Sequence, residues 1–143
     1  NQGKIYFLIG ANGSGKSSFL KSLLHVNDYE GEIFYGDVEL KKININKLFK
    51  ITKYCPQNDI IFDDTIAFNI ILNNEEIKNT EYFNKVIDAC ELSDFVKDRN
   101  IYEYGVGENG YKISGGEKQK ILLARALYSK PNFLYLDEKL LQD

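Results

Sequence analysis

The spacing of apolar and polar positions predicts a strand, a helix, a hairpin and a second strand in the first third of the chain. Residues 4–9 are an almost continuous apolar run, typical of a parallel strand buried on both faces, so Tyr6 and Phe7 are expected in the core. From residue 16 to residue 24 apolar positions recur at helical spacing. Residues 32–40 alternate around a Gly-Asp pair, which predicts a small antiparallel hairpin. Residues 51–55 predict a short strand that ends at Pro56.

The middle and the end of the chain predict helices and one more buried strand. Helical spacing covers residues 65–72 and residues 80–96. A further helix is predicted from about residue 115 to residue 129, and Pro131 stops it. Residues 133–136 are again wholly apolar. Strand-like runs therefore lie on both sides of a helical middle.

Composition and charge narrow the class of protein. The chain has 143 residues, of which 43% are hydrophobic and 27% charged, which is typical of a globular domain with a packed core. No apolar run is long enough to span a bilayer. A net charge of −3 argues against a nucleic-acid surface, which needs clustered cations. The two cysteines, Cys55 and Cys90, lack metal-site or redox-motif spacing and are expected as reduced thiols.

The glycine-rich stretch after the first predicted strand matches the pattern G-x-x-x-x-G-K-[ST] over residues 10–17. Glycines let successive backbone N–H groups turn inward around an anion, and the start of the next helix adds its positive end. Lys16 can reach the β- and γ-phosphates, and the Ser17 hydroxyl can bind Mg²⁺. An ordinary surface turn would not explain the position of this stretch between a strand and a helix. The sequence therefore predicts a phosphate-binding loop.

Two acidic residues, Asp137 and Glu138, close the last predicted strand. Open α/β sheets place ligands at this end of their strands. One carboxylate can hold Mg²⁺ while the next orients and deprotonates an attacking water. The pair alone is a weak signal, and the phosphate loop earlier in the chain strengthens it.

The predicted helix near residue 115 begins with Ser114-Gly115-Gly116-Glu117. Ser-x-x-Glu is a capping box, which explains the serine and the glutamate. It does not explain two glycines, each of which costs a helix roughly 1 kcal/mol relative to alanine. Bare backbone N–H groups and a serine hydroxyl suit a second phosphate group.

Taken together, these stretches resemble the nucleotide-binding domain of an ATP-binding-cassette (ABC) transporter. The resemblance rests on residues 10–17, 54–57, 113–117 and 134–138, in matching order and separation. Two further stretches, residues 61–70 and 104–110, resemble the exporter branch. The resemblance implies an α/β fold with a P-loop NTPase (RecA-like) core, a small antiparallel β part and an inserted helical subdomain. Residues 1–57 and 116–143 would form the core, and residues 58–115 the helical subdomain.

The resemblance also assigns roles in binding and hydrolysing ATP with Mg²⁺. Glu138 would be the general base, with Gln57 and Lys16 also catalytic, and the metal would be held by Ser17, Gln57 and Asp137. The nucleotide phosphates would be bound by Gly10, Asn12, Gly13, Ser14, Gly15, Lys16, Ser17 and Ser18. Residues Ser114, Gly115, Gly116 and Glu117 would close on the ATP of a second cassette. That arrangement is a head-to-tail dimer, attached at the cytosolic face of a membrane through a transmembrane domain outside this chain.

Four departures from the family pattern affect these expectations. The adenine-stacking aromatic of the family would lie before the first strand, outside the sequence. The switch histidine of the family would lie beyond the end of the sequence, since the one histidine present, His25, follows the phosphate-loop helix. Residues 139–143 do not resemble the small-residue loop expected after the general base. Glu117 stands where glutamine is usual, which places a carboxylate near the partner's γ-phosphate unless Lys118 or Lys120 compensates. We expect the sequence to be an excerpt of a longer cassette, inactive alone, rather than a naturally shortened one.

Alternative functions remain open at this point. One is a regulatory cassette that binds ATP with little or no turnover, and another is a soluble ABC ATPase without a transport role. The lack of a long insertion between Gln57 and Ser114 disfavours the DNA-repair type, and the exporter-like stretches disfavour the translation type. An unrelated P-loop kinase or GTPase would not explain Ser114-Gly115-Gly116.

Overall fold

A computed structural model describes residues 3–56, 59–73, 77 and 79–137 of the chain. Its helices and strands follow one another as a mixed α/β arrangement. The helices are α1 (Lys16–Leu23), α2 (Ile45–Ile51), α3 (Ile66–Ile71), α4 (Thr80–Ala89), α5 (Ser93–Lys97) and α6 (Gly115–Tyr128). The strands are β1 (Phe34–Tyr35), β2 (Val38–Glu39), β3 (Thr52–Cys55) and β4 (Phe133–Leu136). Short 3₁₀ turns cover Leu40–Lys42 and Glu108–Gly110.

Within the described residues, four strands form two small sheets. Strands β1 and β2 are an antiparallel hairpin in which Tyr35 pairs with Val38. Strands β3 and β4 are parallel, with Tyr54 opposite Tyr135 and Cys55 opposite Leu136. The hairpin and the positions of both of these strands are confirmed, but the burial predicted for β4 is wrong, since Phe133 is 41% exposed and the other three residues are only partly buried.

The packed core lies among the helices. Helix α6 packs against α3, α4 and β3, so it joins the helical part to the parallel strands. Residues 0% exposed at the centre of this core include Ile66, Leu92, Val106 and Ile121. The two free cysteines are buried, and this burial raises the pKa of each thiol to about 11.

The prediction of a buried strand over residues 4–9 is wrong. The segment is not a strand, and Ile5, Tyr6, Phe7 and Ile9 are 73–91% exposed. A run that is apolar on both faces becomes a buried strand only where neighbouring strands pair with it and helices cover both faces. Strands β3 and β4 pair with each other, and no strand of the described segments pairs with residues 4–9.

The single helix predicted over residues 80–96 is also wrong, because the chain breaks it in two. Helix α4 ends at Ala89, and Glu91 adopts a left-handed backbone with φ of 52°. Leu92 and Phe95 lie off the helical face that Phe83 and Val86 occupy, since a residue on the same face recurs every three or four positions. Turning the chain at Glu91 brings Leu92 and Phe95 into the core, where they are 0% and 9% exposed.

Among the described residues, no helix combines the length and the hydropathy that crossing a membrane would require.

Candidate nucleotide-binding site

The glycine-rich loop folds back on itself ahead of α1. Gly13 and Gly15 have φ of 80° and 90°, which L-residues with a side chain adopt at a cost. A Cβ atom at Gly10 would lie 2.7 Å from Ser14 Oγ, so this position accepts only glycine without a shift. Lys16 Nζ donates to the carbonyls of Gly10 (2.9 Å) and Ala11 (3.1 Å). The ammonium group is therefore held directly over the loop.

Helix α1 starts from this loop with no side-chain cap. Gly15 is its N-cap residue, and glycine has no side chain that could cap the helix. Uncapped N–H groups and the positive end of the helix dipole favour an anion at this point. The loop thus has the chemistry to bind phosphate groups.

Asp137 lies at the carboxyl end of β4 and meets the start of α1. Asp137 is 7% exposed, and its Oδ1 accepts a hydrogen bond of 3.0 Å from Ser17 Oγ, although the two residues are 120 positions apart. The backbone N–H of Asp137 donates to the Cys55 carbonyl at 3.0 Å, which continues the parallel ladder to this residue. The fold therefore brings two of the expected metal ligands into direct contact.

A hydroxyl and a carboxylate are the hard oxygen ligands that Mg²⁺ takes alongside phosphate oxygens and water. No group of three or more histidine, cysteine or acidic side chains suited to a metal occurs in the segments that the structure describes. A site of this kind leaves the remaining positions to nucleotide and water. The residues present fit a magnesium–nucleotide complex.

Sequence reasoning missed a second contact to Asp137. The Tyr54 hydroxyl donates to Oδ2 at 2.7 Å. Tyr54 pairs with Tyr135 across the parallel strands, and Asp137 is two residues further on, so all three share one face of the sheet. Partial burial and the Asp137 carboxylate raise the pKa of Tyr54, so this hydroxyl stays protonated and acts as a donor.

The C-terminal end of α1 is connected to β4 by hydrogen bonds of two tyrosines. Tyr35 donates to the carbonyl of Leu23 at 2.8 Å, and its oxygen lies 2.6 Å from the Tyr135 hydroxyl. Because Tyr35 uses its single proton on Leu23, the Tyr135 hydroxyl is the donor of the pair. Burial raises the pKa of both phenols. Both tyrosines occupy predicted strand positions, where the sequence pattern indicates only apolar character. The pattern therefore does not predict a hydrogen bond between them.

The helix start near residue 115 forms the capping box that the sequence predicts. The Glu117 N–H donates to Ser114 Oγ at 3.2 Å, and Glu117 Oε2 accepts from the Ser114 N–H at 2.7 Å. A Cβ built on Gly115 or Gly116 would have no atom within 4 Å, so this surface is open. Lys120 pairs with Glu91 at 3.1 Å rather than with Glu117.

An open groove of about 480 Å³ lies beside this helix start, and its lining includes Ser114, Gly116, Glu117 and Lys120. No residue of the phosphate loop lines it. The Ser114 groove and the Lys16 loop therefore share no lining residue.

The two exporter-like stretches meet in space. Val106 N–H donates to the Asp64 carbonyl at 2.9 Å, and Ile66 N–H donates to the Tyr104 carbonyl at 3.1 Å. Thr65 and Gly105 form an isolated antiparallel bridge between them. The fold therefore pairs two stretches that are distant in the sequence.

Two of the expected catalytic residues, Gln57 and Glu138, lie outside the described residues, and their roles stay predictions. The roles of the loop residues and of residues 114–117 also stay predictions.

Comparison with known proteins shows which family the chain belongs to. The family model described as "ABC transporter" matches residues 1–140. The chain belongs to the ABC transporter family. Its expected α/β fold with a P-loop NTPase core is confirmed by the likeness to a solved exporter structure. That structure, of a bacterial Atm1-family ABC exporter with ATP bound, matches with a TM-score of 0.78 and 30% identity, over 90% of this chain and 23% of that one.

Several curated relatives are named as export ATP-binding/permease proteins. An export ATP-binding/permease protein of Rickettsia typhi is 36% identical over 140 residues, which are 96% of this chain and 24% of that protein. The microcin-J25 export ATP-binding/permease protein McjD of Escherichia coli is 36% identical over 137 residues, which are 95% of this chain and 23% of that protein. The ABC chain thus spans about a quarter of the length of these two relatives.

Proposed function

We propose that this ABC domain binds ATP with Mg²⁺ and hydrolyses it to drive an exporter at the cytosolic face of a membrane. The observation that carries the proposal is the 3.0 Å hydrogen bond from Ser17 to Asp137. It joins the phosphate loop to the acidic end of β4, so that phosphate groups and a metal ion would share one site. The export names of the relatives support the transport role.

Each part of the site has a separate task in this proposal. The loop from Gly10 to Gly15 offers backbone N–H groups to the phosphates, and Lys16 adds a positive charge held above them. Ser17 and Asp137 hold the metal, which when bound neutralises charge on the phosphate oxygens. Glu138 takes the proton of the attacking water, and Gln57 completes the metal site.

A second copy of the domain, identical or different, completes the proposal. The open glycines at the start of α6 would offer backbone N–H groups to an anion, and no residue of the phosphate loop lines the groove beside them. Two domains in head-to-tail order would bring each Ser114 surface onto the partner's nucleotide. Transmembrane helices outside this sequence would select the cargo.

The first test concerns nucleotide binding. Lys16→Ala in the intact chain should abolish the rise in unfolding temperature that ATP produces, because the ammonium group supplies the side-chain charge of the loop. Lys21→Ala, one turn further along α1, is the matched control and should keep the full rise. Equal protection of wild type and Lys16→Ala by ATP would overturn the phosphate-loop assignment.

The second test concerns hydrolysis and pairing. Glu138→Gln in the intact protein should bind ATP, release no phosphate and accumulate as a nucleotide-bound dimer by light scattering. A monomer under saturating ATP would overturn the head-to-tail arrangement. Wild-type protein that forms the ATP-bound dimer but releases no phosphate would instead identify a regulatory cassette.

A further inference from the structure

The Asp137 carboxylate is held from two sides. Ser17 donates to Oδ1 at 3.0 Å and Tyr54 donates to Oδ2 at 2.7 Å. Rotation of the carboxylate about its Cβ–Cγ bond would move both oxygens and so disturb both hydrogen bonds at once. The two donors together therefore fix the plane of the carboxylate as well as its position.

The two donors differ in what else they do. Ser17 is itself an expected ligand of the metal, so its hydroxyl serves the metal and the carboxylate at once. Tyr54 is anchored in β3 by the parallel ladder, three residues before Gln57, and its described hydroxyl contact is to Asp137. Mg²⁺ requires near-ideal octahedral geometry, so the orientation of a carboxylate beside it affects how well it binds.

We propose that Tyr54 is a positioning residue of the magnesium site: its hydroxyl orients the Asp137 carboxylate, and with it Ser17, toward a nucleotide-bound metal ion. The inference rests on the proposed function and adds to it a residue that acts through Asp137. Groups that orient a metal-binding side chain typically contribute about 10-fold or more to metal affinity. A phenylalanine at position 54 would fill the same space without the hydrogen bond.

The test measures metal binding directly and does not depend on hydrolysis. Mn²⁺ replaces Mg²⁺ and is followed by electron paramagnetic resonance in the intact protein loaded with a non-hydrolysable ATP analogue. Tyr54→Phe should raise the Mn²⁺ concentration for half-saturation by about 10-fold. In EDTA, the affinity of the variant for the analogue should stay within about twofold of wild type, because the loop contacts are intact.

Tyr82→Phe is the matched control. It also removes one tyrosine hydroxyl, which donates to the Leu127 carbonyl at 2.7 Å in the helical part. Its Mn²⁺ binding should equal that of wild type.

The outcomes separate the two proposals. If wild type binds analogue and Mn²⁺, and Tyr54→Phe binds Mn²⁺ equally well, the positioning role is overturned while the proposed function stands. An equal loss of analogue affinity in EDTA would also overturn it, since the change would then be a general one. If wild type binds no analogue, the proposed function fails, and this inference fails with it.

Discussion

At the scale of single residues, Arg125 joins separate parts of the chain through one guanidinium group. Its side chain is 6% exposed and donates to the Asn69 carbonyl (2.6 Å), to Asn69 Oδ1 (3.0 Å) and to the Ile60 carbonyl (2.8 Å). Asp59 lies 3.7 Å away, and burial lowers the pKa of Arg125 while this carboxylate opposes the shift. The sequence does not reveal this role, because a charged residue at one position of an amphipathic helix is normally exposed.

Replacing Arg125 should destabilise the fold strongly. Arg125→Met removes the hydrogen bonds to the Asn69 carbonyl and to Asn69 Oδ1 and leaves Asp59 without its cation, so we expect the free energy of unfolding to fall by about 3 kcal/mol. Chemical denaturation measures this change. Lys85→Met is the control, since Lys85 pairs with Glu81 on the surface and its loss should cost less than about 0.5 kcal/mol. A loss below about 1 kcal/mol for Arg125→Met would show that water satisfies those carbonyls.

At the scale of elements, the sequence predicted the features that depend on interactions between residues close together in the chain. The capping box at Ser114 and the hairpin depend on neighbouring residues, and the sequence located both of them. The position of β4 was also predicted from its apolar run, although its parallel pairing with β3 joins distant segments. The contact between Ser17 and Asp137 joins distant segments, and it was expected through the family resemblance rather than from periodicity. The break at Glu91 was missed because it depends on where Leu92 must lie in the core.

The break between α4 and α5 gives a prediction about backbone strain. Glu91 adopts φ of 52°, a conformation that costs a residue with a Cβ about 1 kcal/mol relative to glycine. Glu91→Gly should therefore be about 1 kcal/mol more stable than Glu91→Ala in denaturant unfolding. Both variants lose the ion pair between Glu91 and Lys120, so this loss does not contribute to the difference in their stabilities. Equal stabilities would mean that the turn relaxes without cost.

At the scale of the whole molecule, packing is uneven. The helical part has a dense core around Ile66 and Ile121, whereas residues 5–9 and the phosphate loop are exposed. Residues 4–9 are apolar, but the prediction that they are buried is wrong. Burial also requires neighbouring strands and helices to cover the segment. Both cysteines are buried, Cys90 within that core and Cys55 in β3, so their thiols become exposed only when the surrounding structure unfolds.

The buried thiols predict a loss of stability at alkaline pH. The pKa of Cys55 and Cys90 is raised from the ordinary 9.0 to about 11, so the folded state keeps its thiol protons where the unfolded state releases them. Their contribution is full below pH 9 and declines as the pH rises toward 11. Unfolding temperatures measured from pH 8 to pH 11 should fall less steeply for the Cys55→Ala/Cys90→Ala double variant. A parallel fall for both proteins would assign the effect to other groups.

Helix α1 is fastened to β4 at its two ends, by Ser17 to Asp137 and by Leu23 through Tyr35 to Tyr135. None of its residues is buried. A helix held mainly by hydrogen bonds lacks the buried apolar contacts that would make it unfold only together with the whole domain. Its amide protons should exchange with solvent well before those of α6, and a ligand seated at its first turn would slow that exchange along its entire length.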